Sequence, residues 1–212
     1  MTQSLPTTCL PRVSCLARGL VRTLALAALL PAAACADAAP AVATAEAGFD
    51  TASIQSMTIK PDRLKRLQPG GSDAASMTFE LVDDADAGEV IRIETAEGNQ
   101  AWDQGLTASS QAAVKAGDVM LASFKMRNVN SMTGQALVNF VFQGGPPEYA
   151  KSAMVRVSAG TEWTQVNLPF LSKGDYKRGK AGAGFHLSLA DQVLEIADFR
   201  VANYGPDYDL TA

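Results

Sequence analysis

Cysteine is scarce and misplaced for a disulfide-held fold. The 212 residues contain three, Cys9, Cys15 and Cys35, all within the first 36 positions. Everything downstream therefore lacks a disulfide, a thiolate metal site and a cysteine nucleophile. Histidine is scarcer still: His186 stands alone, which leaves no material for a histidine metal cluster or a Ser-His-Asp triad. Long apolar runs are absent too. The longest candidate, Leu24 to Ala34, falls short of the roughly 20 residues a spanning helix requires. Basic residues are in the minority, 18 against 22 acidic. An acidic chain without clustered Lys and Arg is a poor nucleic-acid binder.

What is present begins with an export-type segment over residues 1–36. Arg12, Arg18 and Arg22 supply a positive stretch, no acidic residue precedes Asp37, and the apolar run ends in small residues. Ala34-Cys35-Ala36 fits an ordinary signal-peptidase site. Ala-Ala-Ala-Cys also resembles a lipoprotein lipobox with Ala32 in place of the preferred leucine, which would make Cys35 the lipidated N-terminus. Both readings stand. The chain is thus expected to be exported: periplasmic, secreted or lipid-anchored, with that anchor its only membrane attachment. Without the three arginines, 15 basic residues face 22 acidic ones.

Residues 37–76 read as a linker and irregular lead-in. The stretch to Gly48 is rich in Ala, Pro and Thr. Beyond it, Lys60-Pro61 and Pro69-Gly70-Gly71 interrupt a weak alternation, leaving room for a short edge strand. From Met77 the pattern changes to short alternating segments: Met77–Val82, Glu89–Thr95, Val119–Met126, Ala136–Gln143, Lys151–Ser158, Trp163–Pro169, Ala181–Leu189 and Val193–Val201. Gly, Pro, Asp or Asn punctuate the gaps. With no long helical period between them, these predict an all-β, antiparallel two-sheet β-sandwich over 77–205, and after it a C-terminal tail, 206–212.

Alternation also assigns faces. Phe79 and Leu81 share one, as do Val138, Phe140 and Phe142; Met120, Ala122, Phe124 and Met126; and Phe185, Leu187 and Leu189. The opposite side predicts a single polar sheet face carrying Lys125, Arg127, Asn139, Gln143 and His186. Planar polar side chains of this kind suit hydroxyl recognition, and an ordinary solvated sheet face has the same composition. Trp102, between Gly98-Asn99-Gln100 and Gln104-Gly105, is either an aromatic platform or a plug for one end of the sandwich. Tyr149 and Tyr176 lie in loop-like stretches, as cleft rim or as caps. Nothing in the pattern sets Glu148, Glu162 and Glu195 face to face as a hydrolytic pair.

The order of short motifs is more specific. Ala101-Trp102-Asp103-Gln104-Gly105-Leu106 is succeeded by Val114-Lys115-Ala116-Gly117-Asp118-Val119, Ser123-Phe124-Lys125-Met126-Arg127, Val141-Phe142-Gln143 and Pro146-Pro147. Next come Lys151-Ser152, Glu162-Trp163, Leu168-Pro169-Phe170, Asp175-Tyr176, Phe185-His186-Leu187, Gln192-Val193-Leu194-Glu195-Ile196 and Val201-Ala202-Asn203-Tyr204-Gly205. From about Met77 to Gly205 this resembles the carbohydrate-binding-like β-sandwich, a galactose-binding-like jelly roll, attached to many xylanase-type glycoside hydrolases. The resemblance implies a non-catalytic module for a β-linked polysaccharide or oligosaccharide; on the face assignment above, Trp102 would stack and Arg127, Asn139, Gln143 and His186 would hydrogen-bond the sugar. It implies no required cofactor. Related sandwiches often hold a structural calcium near the first and last strands, which points to Asp198 beside the Asp83, Asp84, Asp86 cluster; a plain polar turn is the other reading. A glycoside hydrolase or an envelope protein on a separate chain is an expected partner. The competing expectations are an envelope structural or interaction sandwich without sugar binding, and a small hydrolase.

Overall fold

Alternating sequence becomes eleven strands in the computed structural model, which describes residues 51–209. The export-type segment, Cys35 and the Ala/Pro/Thr tether lie outside the described residues. The first six strands are β1 Ser56–Ile59, β2 Gln68–Gly70, β3 Thr78–Asp84, β4 Gly88–Thr95, β5 Gly105–Ser109 and β6 Val119–Ser131. The other five are β7 Ala136–Gly144, β8 Lys151–Ala159, β9 Thr164–Leu171, β10 Ala181–His186 and β11 Gln192–Gly205. Only short 3₁₀ turns interrupt them, and among the described residues no helix is long and apolar enough to cross a membrane.

All pairings are antiparallel and form two sheets. One runs β3-β4-β11-β6-β9, with β1 also on β11; the other runs β2-β5-β10-β7-β8. β11 pairs with β4 through Gln192–Ala197 and with β1 through Val201–Asn203, so both occupy the same edge in succession. The change of partner falls at a bulge between Ala197 and Arg200, where Asp198 takes φ 53°. This is the expected all-β two-sheet sandwich.

The core lies between the sheets, where the two sets of inward side chains meet. Met120, Ala122, Phe124 and Met126 from β6, and Val138, Phe140 and Phe142 from β7, are all fully buried. Phe124, Phe140, Phe185 and Phe199 form an aromatic cluster drawn from both sheets. Phe185 lies 4.9 Å from Phe199 and 5.1 Å from Phe124 between ring centroids, within the range where edge-to-face contact is favourable. Each such ring contributes roughly 1.5–3 kcal/mol through burial, which stands in for the missing disulfides.

Several boundaries differ from the expected ones. The lead-in is part of the sandwich: β1 and β2 add to one sheet each, and Ile59, Leu64 and Leu67 join the core. Pro61 and Pro69 break the alternation that would otherwise mark these strands. β5 also lies outside the expected set, because Gly-Leu-Thr-Ala-Ser has few β-branched residues. The tail is packed in part, with Tyr208 4.5 Å from Tyr204. Phe79 and Leu81 do share a face with their partners Ile93 and Ile91, but β3 is an edge strand and they stay 41% and 46% exposed. Leu189 falls beyond the end of β10 and is only half-buried.

Candidate functional site

β10 reads Ala-Gly-Ala-Gly-Phe-His. Its inward positions, Ala181, Ala183 and Phe185, are core; its outward positions are Gly182, Gly184 and His186. The centre of the five-stranded sheet thus presents bare backbone on its outer face. The glycines also let β5 approach closely. A Cβ on Gly182 would meet Thr107 Cγ2 at 2.8 Å, and one on Gly184 would run into the Leu106 carbonyl. Over this smooth floor lies a cleft of about 650 Å³. Thr107 and Ser109 of β5, Gln143 of β7, Lys151 of β8, Lys180 and His186 contribute polar groups to it.

Two exposed aromatics line it from opposite loops. Trp102, 51% exposed, comes from the loop between β4 and β5. Asp103 anchors that loop: its carboxylate accepts from Ser72 Oγ at 2.7 Å and from the Gln100 N–H at 2.8 Å. The Ser72 hydroxyl first, then the Gln100 amide, hold the Asp103 pKa below the usual carboxylate range. Gly71 takes φ 109° and lies against the Trp102 and Asp103 carbonyls, where any Cβ would collide. Tyr149, 47% exposed at φ 47°, comes from the loop between β7 and β8. Its N–H donates to the Gly145 carbonyl at 3.3 Å, and the Gly145 N–H donates to the Lys180 carbonyl at 2.9 Å, so the Tyr149 loop and the Lys180 turn are tied together.

His186 connects floor and wall. Its ring meets Trp102 edge-on, 6.3 Å between centroids at 66°. Its Nδ1 is buried without a hydrogen-bond partner among the described residues. Burial, and then the positive charge of Lys151, push the His186 pKa down, so the imidazole is neutral at physiological pH.

The structure brings Trp102, Gln143 and His186 together, sets Asn139 beside His186 on the same face, and places Arg127 on the other sheet. Asn139 shares the outer face, opposite His186 in register, but lies four positions along β7 from Gln143, and its Oδ1 accepts from Arg156 Nε at 3.4 Å. Arg127 and Lys125 belong to β6 in the other sheet, so the expected single polar face is in fact two opposite faces. Arg127 Nε donates to Glu195 Oε2 at 2.7 Å, its Nη2 donates to Asp84 Oδ2 at 2.8 Å, and its guanidinium sits 4.5 Å over the Trp163 ring. Glu195 is buried and also accepts from Arg92 at 2.6 and 2.8 Å. These side chains hold the six-stranded sheet together and are remote from the cleft. Alternation states which side of its own sheet a residue faces, not which sheet the strand enters.

In the acidic turn, the Asp84 carboxylate has protein partners. Asp84 Oδ1 accepts the N–H groups of Asp86 and Ala87, both at 2.9 Å, and Oδ2 binds Arg127. Asp198 lies 3.8 Å from Arg200 Nη2. Among the described residues no three Asp, Glu, His or Cys side chains gather as a metal site would require.

No protein-family model matches the sequence, and neither does any curated protein. Solved structures are similar in fold. The BiXyn10A CBM1 module superposes with a TM-score of 0.50 at 13% identity, over 70% of this chain and 97% of that one. The second N-terminal cellulose-binding domain of Cellulomonas fimi β-1,4-glucanase C gives 0.50 at 18%, over 71% and 93%. The arabinose-bound MgGH51 α-L-arabinofuranosidase gives 0.53 at 15%, over 71% of this chain; the chain spans only 25% of that enzyme. The fold is the two-sheet β-sandwich that these structures share. In this sandwich Tyr149 is a cleft-lining residue, whereas Tyr176 caps the core, 6.2 Å from Phe142. Lys151, Lys180, Thr107 and Ser109 lie outside the expected set of site residues. The signal for their region is the Ala-Gly-Ala-Gly stretch, which is small on both faces of one strand.

Proposed function

We propose that the protein is a non-catalytic carbohydrate-binding module of an exported chain, and that its cleft holds a β-linked polysaccharide or oligosaccharide. The observation that carries this reading is the glycine-floored cleft lined by two exposed aromatics, Trp102 and Tyr149. Sugar rings offer C–H faces that pack on such side chains, while their hydroxyls take partners such as Thr107, Ser109 and Gln143. The similar Cellulomonas fimi domain is named for binding cellulose, a β-linked glucan, which supports the class of ligand. The basic, then apolar, then small-residue order of residues 1–36 supports export. A glycoside hydrolase acting on the same glycan is the natural partner.

Affinity electrophoresis through gels containing xylan, mixed-linkage glucan or galactan tests the reading. Parent protein is retarded by at least one glycan. Trp102→Ala weakens that binding by about 2 kcal/mol, or ~30-fold, as loss of a central aromatic anchor does. Tyr149→Ala weakens it in the same direction. Both side chains are about half exposed and outside the core, so melting midpoints stay near the parent's. Retention of both variants equal to parent would remove the cleft from the binding role.

A further inference from the structure

Charge is divided between the two sheets. Every aspartate and glutamate that lies in a strand, from Glu80 to Asp198, is on the six-stranded sheet. The strands of the other sheet contain no carboxylate; they carry Lys151, Arg156 and His186. The ion pairs obey the same division. Among the described residues each one joins side chains of β3, β4, β6 and β11. The cleft lies on the carboxylate-free sheet, and its described lining contains Lys151 and Lys180 with no aspartate or glutamate. A net-acidic chain, formally −4, therefore presents its glycan cleft as a cationic one.

Neutral hydroxyls do not call for this arrangement, because amides and hydroxyls serve them and Gln143, Thr107 and Ser109 are already there. Lys151 and Lys180 line one concave site, and neither has a protein carboxylate partner among the described residues. Lys151 and the half-buried His186 line the same cleft, and the lysine's positive charge reaches the ring. We propose that the cleft takes an acidic glycan, a β-linked chain bearing uronic-acid residues whose carboxylates pair with Lys151 and Lys180 while its rings pack on Trp102 and Tyr149. This rests on the carbohydrate-binding reading and names the class of sugar.

The test uses two polymers, glucuronoxylan and a soluble β-1,4-glucuronan, each beside a portion whose carboxyl groups have been reduced to primary alcohols. Titration calorimetry of the intact protein is run at about 50 mM and about 500 mM NaCl, spanning weak and strong screening. At low salt an acidic polymer binds about tenfold tighter than its reduced counterpart, as two partly exposed ion pairs allow, and high salt removes that difference. Lys151→Gln with Lys180→Gln abolishes the preference for the acidic polymer over its reduced counterpart. Both lysines are exposed, so the double variant folds. Equal affinity for native and reduced polymers, insensitive to salt, overturns the acidic-glycan inference and leaves the binding module intact. A double variant that keeps the preference also overturns it. Binding to none of the four polymers, nor to xylan, mixed-linkage glucan or galactan, overturns both readings.

Discussion

Arg127 points out of its sheet as alternation requires, yet it serves Glu195 rather than a ligand. The Glu195 carboxylate is buried with both oxygens taken by guanidinium groups, Arg92 on one side and Arg127 on the other. Removing one member of a buried ionic cluster leaves the others desolvated without a partner. Glu195→Gln is therefore expected to destabilise the fold by about 3 kcal/mol, the lower end of the usual range because both arginines still reach solvent. Urea unfolding reads this directly. Arg127→Ala lowers stability as well but leaves glycan retardation in affinity gels at the parent level, separating the structural face from the binding one. His186 behaves differently. Its pKa is lower in the fold than in the unfolded chain, so the unfolded state takes up the proton first as pH falls. Stability from this site is complete above about pH 6.5 and declines below it. Melting midpoints measured from about pH 8 to about pH 5 should fall less steeply for His186→Gln than for the parent; parallel curves would show that the ring is not held neutral by the fold.

Among the elements, β10 places the most demanding limits on its sequence. Its inner face must fill the core and its outer face must remain flat enough to be a cleft floor, and Ala-Gly-Ala-Gly-Phe-His meets both. Gly184→Ala sets a methyl against the Leu106 carbonyl, where only movement of β5 can relieve the clash. Expected destabilisation is in the range of overpacking, about 1–3 kcal/mol. The same shift disturbs the outer face, so glycan affinity falls together with the melting midpoint. A variant with both properties unchanged would show that β5 is not held tightly against β10. β11 uses its irregularity in another way. The bulge at Asp198 lets one strand pair with β4 and then β1, so the segment read as a lead-in joins the six-stranded sheet.

At the scale of the whole molecule, two sheets with different charge share one aromatic core. The six-stranded sheet pairs Glu195 and Asp84 with Arg92 and Arg127, and the cleft on the other sheet is lined by Lys151 and Lys180 without an aspartate or glutamate. Sequence by itself determined the all-β antiparallel class, because period-two alternation between turn residues leaves no room for long helices or parallel crossovers. It determined eight of the eleven strands in approximate extent and the inward set around Phe124, Phe140 and Phe185. It also marked Trp102, Gln143 and His186, whose residue types suit sugar contacts whatever their neighbours. Only tertiary structure decided which strands share a sheet, since hydrogen-bond partners of β6 and β7 come from residues far away along the chain. That pairing moved Arg127 away from the site and brought in Tyr149, Lys151 and Lys180. A cleft is a relation among five strands and the loops between them, and local periodicity contains no record of such distances.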